Sequence, residues 1–249
     1  YFTPGFPSAA YYLATFAEEI KRDAAYALSR IYIIEAMGMK AGWLTCAGAL
    51  GGADLVLPPE WKISWKQVLE LASARYKQNG NFAVIVVSQE AHFDEPLIGL
   101  SETQIGDEHG HVRQSFICLT LRDKIRADLG IEAKALYPGN YVETGKPIAV
   151  DRDLAIALGR KAVGLLDEGT TGQMSCVLRP SPQNFDLAVG AVPLSEVAFK
   201  KHRPLEQGMF DQATLLPTKE FFDYMAPLTA DFPPSGQDEY FQLARAMIG

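Results

Sequence analysis

Asp107, Glu108, His109 and His111 form the densest run of ligand-type side chains in the chain. Metal sites draw their ligands from separate elements and support them with a second layer of hydrogen bonds. One crowded segment, Asp107-Glu108-His109-Gly110-His111, therefore reads as a solvated polar loop. His92 and His202 have no partner at a spacing that would make a Ser-His-Asp or Cys-His arrangement. Three other segments are better placed for chemistry. Met37-Gly38, Ser88-Gln89-Glu90 and Pro138 to Glu143 each follow directly on a strand-like run. A glycine lets backbone approach a ligand closely, and a helix start offers free N–H groups.

The elements that must position these residues follow from periodicity. Residues 8–28 read as a helix, with Ser8 as its cap and Leu13, Phe16, Ala17, Ile20 and Ala24 on one face. Arg30 to Ala36 read as a buried strand, Lys40 to Leu50 as a short helix and Asp54 to Leu57 as a short strand. Ser64 with Gln67 makes a capping box, opening a helix that Asn79-Gly80 closes. Phe82 to Val87 is an uninterrupted apolar run, as in a strand covered on both faces. A polar loop spans 91–113, a helix Ser115 to Leu129 and a strand Ile131 to Tyr137. Beyond Gly145 come a helix over Asp151–Leu166, short strands at Met174–Leu178 and Leu187–Val189, a helix over Thr218–Met225 and a turn-rich tail.

Helix and strand thus alternate over residues 8–137, which predicts an α/β fold with a Rossmann-like, open, mostly parallel sheet and flanking helices. Such folds bind ligands beyond the carboxyl ends of their strands. Parallel strands would bring the three segments to one rim.

Composition narrows the class. The chain has 249 residues, 48% of them hydrophobic and 21% charged, as in a soluble globular protein. Its net charge of −7 argues against a nucleic-acid partner and suits a cytoplasmic enzyme. No apolar run approaches a membrane span. Cys46, Cys118 and Cys176 sit far apart in apolar surroundings and read as reduced core thiols. The first residues lack the basic flank of a signal peptide, and Tyr1 in place of an initiator Met suggests a processed or cut chain.

Three stretches together resemble the phosphofructokinase family, in its order and spacing. They are TPGFPSAAYYLATFAEEIKRDA, RIYIIEAMGMKAGWLTCAGALGGADLVLPPE and PIAVDRDLAIALGRKAVGLLDEGTTGQM. PTKEFFDYMAPL resembles its C-terminal helix, and the Thr-Pro-Gly-Phe opening and Ala-Gly-Trp are nearer to the pyrophosphate-dependent branch. The resemblance implies part of a two-lobe fold. It divides the chain into a sugar-phosphate lobe over 1–142, a segment over 143–195 returning to the donor-binding lobe, and a C-terminal tail over 196–249 packing back on the first lobe. No GGD, GDG or TxDND occurs, so the N-terminal donor-binding part, with the catalytic aspartates, is expected to lie outside this chain.

The same resemblance implies the substrate-binding residues. Arg30 stands where an arginine reaches the sugar 6-phosphate, often across a subunit boundary. Met37 and Gly38 match the turn, whose third residue, an arginine in the family, is Met39 here, with Lys40 adjacent. Gln89 occupies the position of a glutamate that accepts from sugar hydroxyls, and Glu90 follows one residue late; either could bond a sugar, or the segment is a plain loop. Lys134 stands where a cation faces the phosphate. Asn140 lies in the next segment, which ends in Glu143 where the family has arginine, with Lys146 as the available compensating charge. Like charges about 4 Å apart repel by a few kcal/mol near a protein surface.

The implied activity is a phosphotransferase that makes fructose 1,6-bisphosphate from fructose 6-phosphate in glycolysis. Its donor would be pyrophosphate or ATP with magnesium, and none of these would have its site in this chain. Partners would be the sugar phosphate and either a second copy of the chain or a complementary N-terminal lobe, with no nucleic acid and no membrane. Met39, Gln89 and Glu143 leave a second reading open, a non-catalytic sugar-phosphate-binding or regulatory subunit.

Overall fold

The computed structural model describes residues 3–26, 29–38, 40–95, 105–106, 112–113, 116–178, 188–198, 203–230 and 232. Met39, the 107–111 run, His202 and the tail from 233 lie outside the described residues.

Helix α1 (Phe6–Tyr26) lays Ala10, Leu13, Ala14, Ala17 and Ala24 into the core at helical spacing. It begins two residues before Ser8, so Ser8 is not its cap. Strand β1 (Arg30–Ala36) follows with every residue buried. Helix α2 (Trp43–Ala47) runs on into a 3₁₀ turn over Gly48–Gly51, then strand β2 (Leu55–Leu57) and the two-residue strand β3 (Lys62–Ile63). Helix α3 (Trp65–Gln78) starts after Ser64, yet the expected capping box does not form. Asp94 instead accepts the Trp65 N–H at 2.9 Å, and the Gln67 amide donates to the Gln212 and Ala213 carbonyls. The helix-end hydrogen bond from Trp65 holds the Asp94 carboxyl below its ordinary range.

Strand β4 (Phe82–Ser88) is buried throughout. The expected loop from residue 91 opens instead with strand β5 (His92–Phe93), parallel to β3. Strands β6 (Ile105–Gly106) and β7 (Val112–Arg113) pair antiparallel. Helix α4 (Ile117–Leu129) ends at Gly130, and strand β8 (Ala133–Leu136) follows.

The central sheet has the order β2-β4-β1-β8, and all its pairings are parallel. Helices α1 and α2 pack together on the sheet, as do α3 and α4, which explains why β4 reads as a continuous apolar run.

Beyond the sheet come helices α5 (Asn140–Thr144) and α6 (Ala149–Asp167), strands β9 (Gln173–Leu178) and β10 (Ala188–Pro193), and helix α7 (Leu194–Ala198). Helix α5, absent from the sequence expectation, runs across position 142–143. Strands β9 and β10 pair antiparallel with each other, so their edges are not both free. Of the leucines on α6, Leu154 and Leu165 are buried, whereas Leu166 is 69% exposed. Ile156 and Val163 stand exposed beside it, and Met174 and Leu178 on the hairpin.

The C-terminal part returns to the first core through strands β11 (Phe210–Asp211) and β12 (Leu216–Pro217) and helix α8 (Lys219–Met225). Leu205, Met209, Phe210, Leu215, Phe221, Met225 and Leu228 are all buried in that core. Phe210 stacks on Trp61 at 4.8 Å, and Val56 N–H donates to the Leu215 carbonyl at 2.9 Å. Cys46 and Cys118 are buried free thiols; Cys176 on β9 is only half-buried. Among the described residues no helix is long and apolar enough to cross a membrane.

Candidate functional site

Strands β1 and β4 lie in register, Ala36 beside Ser88, so their following turns emerge together. The two turns are tied to one another. Ser88 is fully buried, and its hydroxyl donates to the Gly38 carbonyl at 2.8 Å and accepts the Glu90 N–H at 3.3 Å. Gln89 N–H donates to the Ala36 carbonyl at 3.3 Å. Gly38 has φ of 122°, a conformation that side chains resist, and an added Cβ would come 3.3 Å from the Ala41 carbonyl. Met37, Gln89 and Glu90 are half-buried around this junction.

The third segment completes the end of the sheet. After β8, Gly139 has φ of 49° and packs against the Tyr137 ring. Helix α5 then buries Val142 and leaves Asn140 and Glu143 exposed. It leans on α1 through an edge-to-face contact of Tyr141 with Tyr12 at 5.5 Å. Lys146 does not neutralise Glu143, since no ion pair joins them and both face solvent.

Arg30 and Lys134, each expected to face the phosphate, stand away from this rim. Arg30 opens β1, and Met37 follows its last residue. At about 3.3 Å per residue they are roughly 23 Å apart along the strand. Lys134 pairs with Tyr32, so it lies about 16 Å short of the rim. Arg30 is buried, with its guanidinium 5.9 Å from the Tyr32 ring. The Tyr32 hydroxyl donates to Asp23 at 2.7 Å, and burial, then that bond, push its pKa up to about 12. Lys134 is exposed, and its side chain forms no hydrogen bond or ion pair with a described residue.

Three rim residues escaped the sequence reading. Glu35 is buried at the end of β1, facing the start of α4, and accepts the Cys118 N–H at 3.0 Å. Burial raises its pKa, and hydrogen bonding, chiefly from the Cys118 N–H, works against that rise. Burial, then the charge of Glu35, push the Cys118 thiol far up, so Cys118 is no reactive nucleophile at neutral pH. The signal was visible: Glu35 is the one charge among the apolar residues that follow Arg30 in β1. Phe116 and Tyr137 form an exposed edge-to-face pair at 4.7 Å, and the Tyr137 hydroxyl accepts from the Gln89 amide nitrogen at 3.3 Å. Tyr137 lay beside a predicted segment, but nothing local tied Phe116 to it.

Chemically the rim offers hydrogen-bond acceptors, an amide and an aromatic wall. Among the described residues no three of His, Cys, Asp and Glu gather as metal ligands, so these residues do not fit a magnesium site. What they can supply is binding and orientation.

Comparison with known proteins places this architecture. A pyrophosphate--fructose 6-phosphate 1-phosphotransferase of Halomonas elongata is 30% identical, over 99% of this chain and 62% of its own length. An ATP-dependent 6-phosphofructokinase 2 of Streptomyces coelicolor is 31% identical, over 66% of this chain and 48% of its own. The chain thus spans about half to three fifths of the length of these relatives. The crystal structure of a pyrophosphate-dependent phosphofructokinase from Marinobacter aquaeolei superposes with a TM-score of 0.78 at 24% identity. That match covers 93% of this chain and 57% of that one, and it shows the fold. The family profile described as phosphofructokinase matches residues 1–166, which include the four-stranded parallel sheet and both tied turns, and on that evidence the chain belongs to the phosphofructokinase family.

Proposed function

We propose that this chain supplies the sugar-phosphate side of a phosphofructokinase-type phosphotransferase. The reaction would carry a phosphoryl group from pyrophosphate or ATP, with magnesium, to fructose 6-phosphate, as a step of glycolysis in the cytoplasm. Family membership supports the reaction class, and the names of the relatives support both donors. One observation carries the sugar site: the turns after β1 and β4 are locked together by the Ser88–Gly38 hydrogen bond, with Gln89 beside them. Phosphoryl transfer depends on positioning and charge neutralisation, so a rigid acceptor for the sugar is a required part.

Arg30 and Lys134 do not reach this rim within one chain. Arg30 and Lys134 at the other end of the sheet would serve the phosphate of a sugar held on a second copy, which makes a homo-oligomer the working form. Residues 1–142 with the returning tail form the sugar-phosphate lobe, and 143–195 forms the connection toward the donor-binding lobe. The apolar side chains left exposed on α6 and the β9–β10 hairpin support that assignment.

A second reading, a non-catalytic sugar-phosphate-binding or regulatory subunit, is favoured by Glu143, exposed and in no ion pair with a described residue. Amide chemical-shift mapping with fructose 6-phosphate tests the shared part. Saturable shifts at Gly38, Gln89 and Glu90 support the sugar site, and none at these residues rules it out. Adding pyrophosphate or ATP with magnesium then separates the readings by whether fructose 1,6-bisphosphate forms.

A further inference from the structure

Glu60 lies just beyond the end of β2, and one of its oxygens joins two segments far apart in the chain. Oε1 accepts the Gly42 N–H and the Leu205 N–H, each at 2.7 Å. Oε2 is buried and has no donor among the described residues. Gly42 is where the backbone enters α2, and a Cβ on it would lie 2.4 Å from the Pro58 Cβ and 2.6 Å from Glu60 Oε2. A glycine at 42 is what lets the carboxylate close on that N–H. Leu205 belongs to the returning C-terminal part, which is seated here a second time: the Trp43 indole N–H donates to the Arg203 carbonyl at 3.1 Å.

The Gly42 N–H belongs to the peptide unit shared with Ala41. The carbonyl oxygen of that unit stands 3.3 Å from where a Cβ on Gly38 would lie, and the Gly38 carbonyl accepts the Ser88 hydroxyl at 2.8 Å. A trans peptide is planar, so holding its N–H also orients its carbonyl. A continuous line of contacts therefore runs from Leu205 through Glu60 and the Ala41–Gly42 peptide to the two tied turns. We infer that Glu60 is a positioning residue for this rim: it braces the turn after β1 from behind and couples that turn to the seating of residues 203–205. Coupling to a sugar rests on the sugar reading above; the brace itself does not. Because coupling between sites is reciprocal, a ligand that settles the Gly38 turn also settles the Leu205 contact.

The test is amide NMR on the full chain. Fructose 6-phosphate titrated into the unaltered chain is expected to shift the Gly42 and Leu205 amides along the saturation curve of Gly38, although Leu205 is buried in the core. Shifts at Gly38 with none at Gly42 and Leu205 overturn the coupling, and this arm needs no variant to fold. Glu60→Ala is expected to weaken binding about tenfold, as for the loss of one hydrogen bond. Glu60→Gln keeps an oxygen for both N–H groups and is expected to restore most of the affinity. Equal binding by Glu60→Ala and the unaltered chain, or no recovery in Glu60→Gln, overturns the positioning role. Hydrogen exchange without ligand tests the brace alone. In Glu60→Ala the Gly42 and Leu205 amides are expected to exchange faster together, while Val84, Ile85 and Val86 stay protected; unchanged exchange at both overturns the brace. If the unaltered chain binds no fructose 6-phosphate while both amides answer to Glu60→Ala, the sugar reading fails and the brace stands.

Discussion

Asp151 accepts three hydrogen bonds from the start of α1: from Gly5 N–H at 2.9 Å and from the N–H and hydroxyl of Ser8 at 2.6 and 2.5 Å. The Ser8 hydroxyl in turn accepts the Ile148 N–H at 3.1 Å. Two helix N-termini, α1 and α6, are thus closed by one buried carboxylate and one hydroxyl from residues far apart in the chain. A carboxylate suits this place because free N–H groups and the positive ends of both helices converge there.

Removing that carboxylate should be costly. Asp151→Ala strands several buried donors, each unsatisfied group costing about 1–3 kcal/mol, so a loss of about 3 kcal/mol is expected. Ser8→Ala removes only the hydroxyl and should cost about 1 kcal/mol. Urea unfolding measures both; equal small losses would show that the contact is dispensable.

Close packing fixes Gly51. A Cβ there would lie 2.0 Å from the Ala14 carbonyl oxygen, where α1 crosses the 3₁₀ turn. Gly51→Ala should destabilise by about 3 kcal/mol, since backbone on both sides must shift. Gly159 in α6 has nothing within 4 Å, and Gly159→Ala should stabilise by about 0.5 kcal/mol through reduced freedom of the unfolded chain. Thermal denaturation of the pair should move in opposite directions; a like-signed shift would refute the packing explanation.

Glu35 gives stability a pH dependence of defined sign. Its pKa in the folded chain lies above the ordinary 4.5, because burial disfavours the charged form. The folded state therefore holds this proton more tightly than the unfolded chain. The resulting stability is present below about pH 4.5 and is lost as pH rises through the raised value. Glu35→Gln has no such proton. Its stability relative to the unaltered chain should rise as pH climbs above about 4.5, whatever the constant offset from changed hydrogen bonds. Parallel stability curves would mean that the carboxyl is not shifted.

Protection should fall along α6. Its first turns are anchored by Asp151 and the buried Leu154, whereas Val163 is 58% and Leu166 69% exposed. Among the described residues β9 and β10 pair only with each other, and two strands alone are marginally stable. Hydrogen exchange should be slowest at Val84, Ile85 and Val86, intermediate near Leu154 and fastest in the hairpin. Hairpin amides as slow as those of β4 in a monomeric sample would contradict this.

Much of the sheet was legible because burial on two faces leaves a continuous apolar run, and β1 matches its expected bounds to the residue. The parallel alternation over 8–137 was legible for the same reason. What failed depended on distant partners. Ser8 has the chemistry of a cap, but Asp151 claims it. Ser64 and Gln67 have the spacing of a capping box, but Asp94 and the 212–213 backbone take their places. Helix α5 is too short and polar to show a period. The placement of Arg30 was readable, since the first residue of a strand cannot share a rim with the residue after its last. Glu35 needed the fold, because only the packing of α4 on the sheet brings the Cys118 N–H to it.

The sugar site is tested most directly by calorimetric titration of fructose 6-phosphate into the unaltered chain, Gln89→Ala, Lys134→Ala and an equal mixture of the two variants. Saturable binding by the unaltered chain should weaken about tenfold or more in each variant, as expected for a lost hydrogen bond or phosphate contact. The mixture should recover part of the tight sites, because a site shared between copies can draw Gln89 from one and Lys134 from the other. Absence of binding by the unaltered chain, or binding that neither substitution changes, would contradict it.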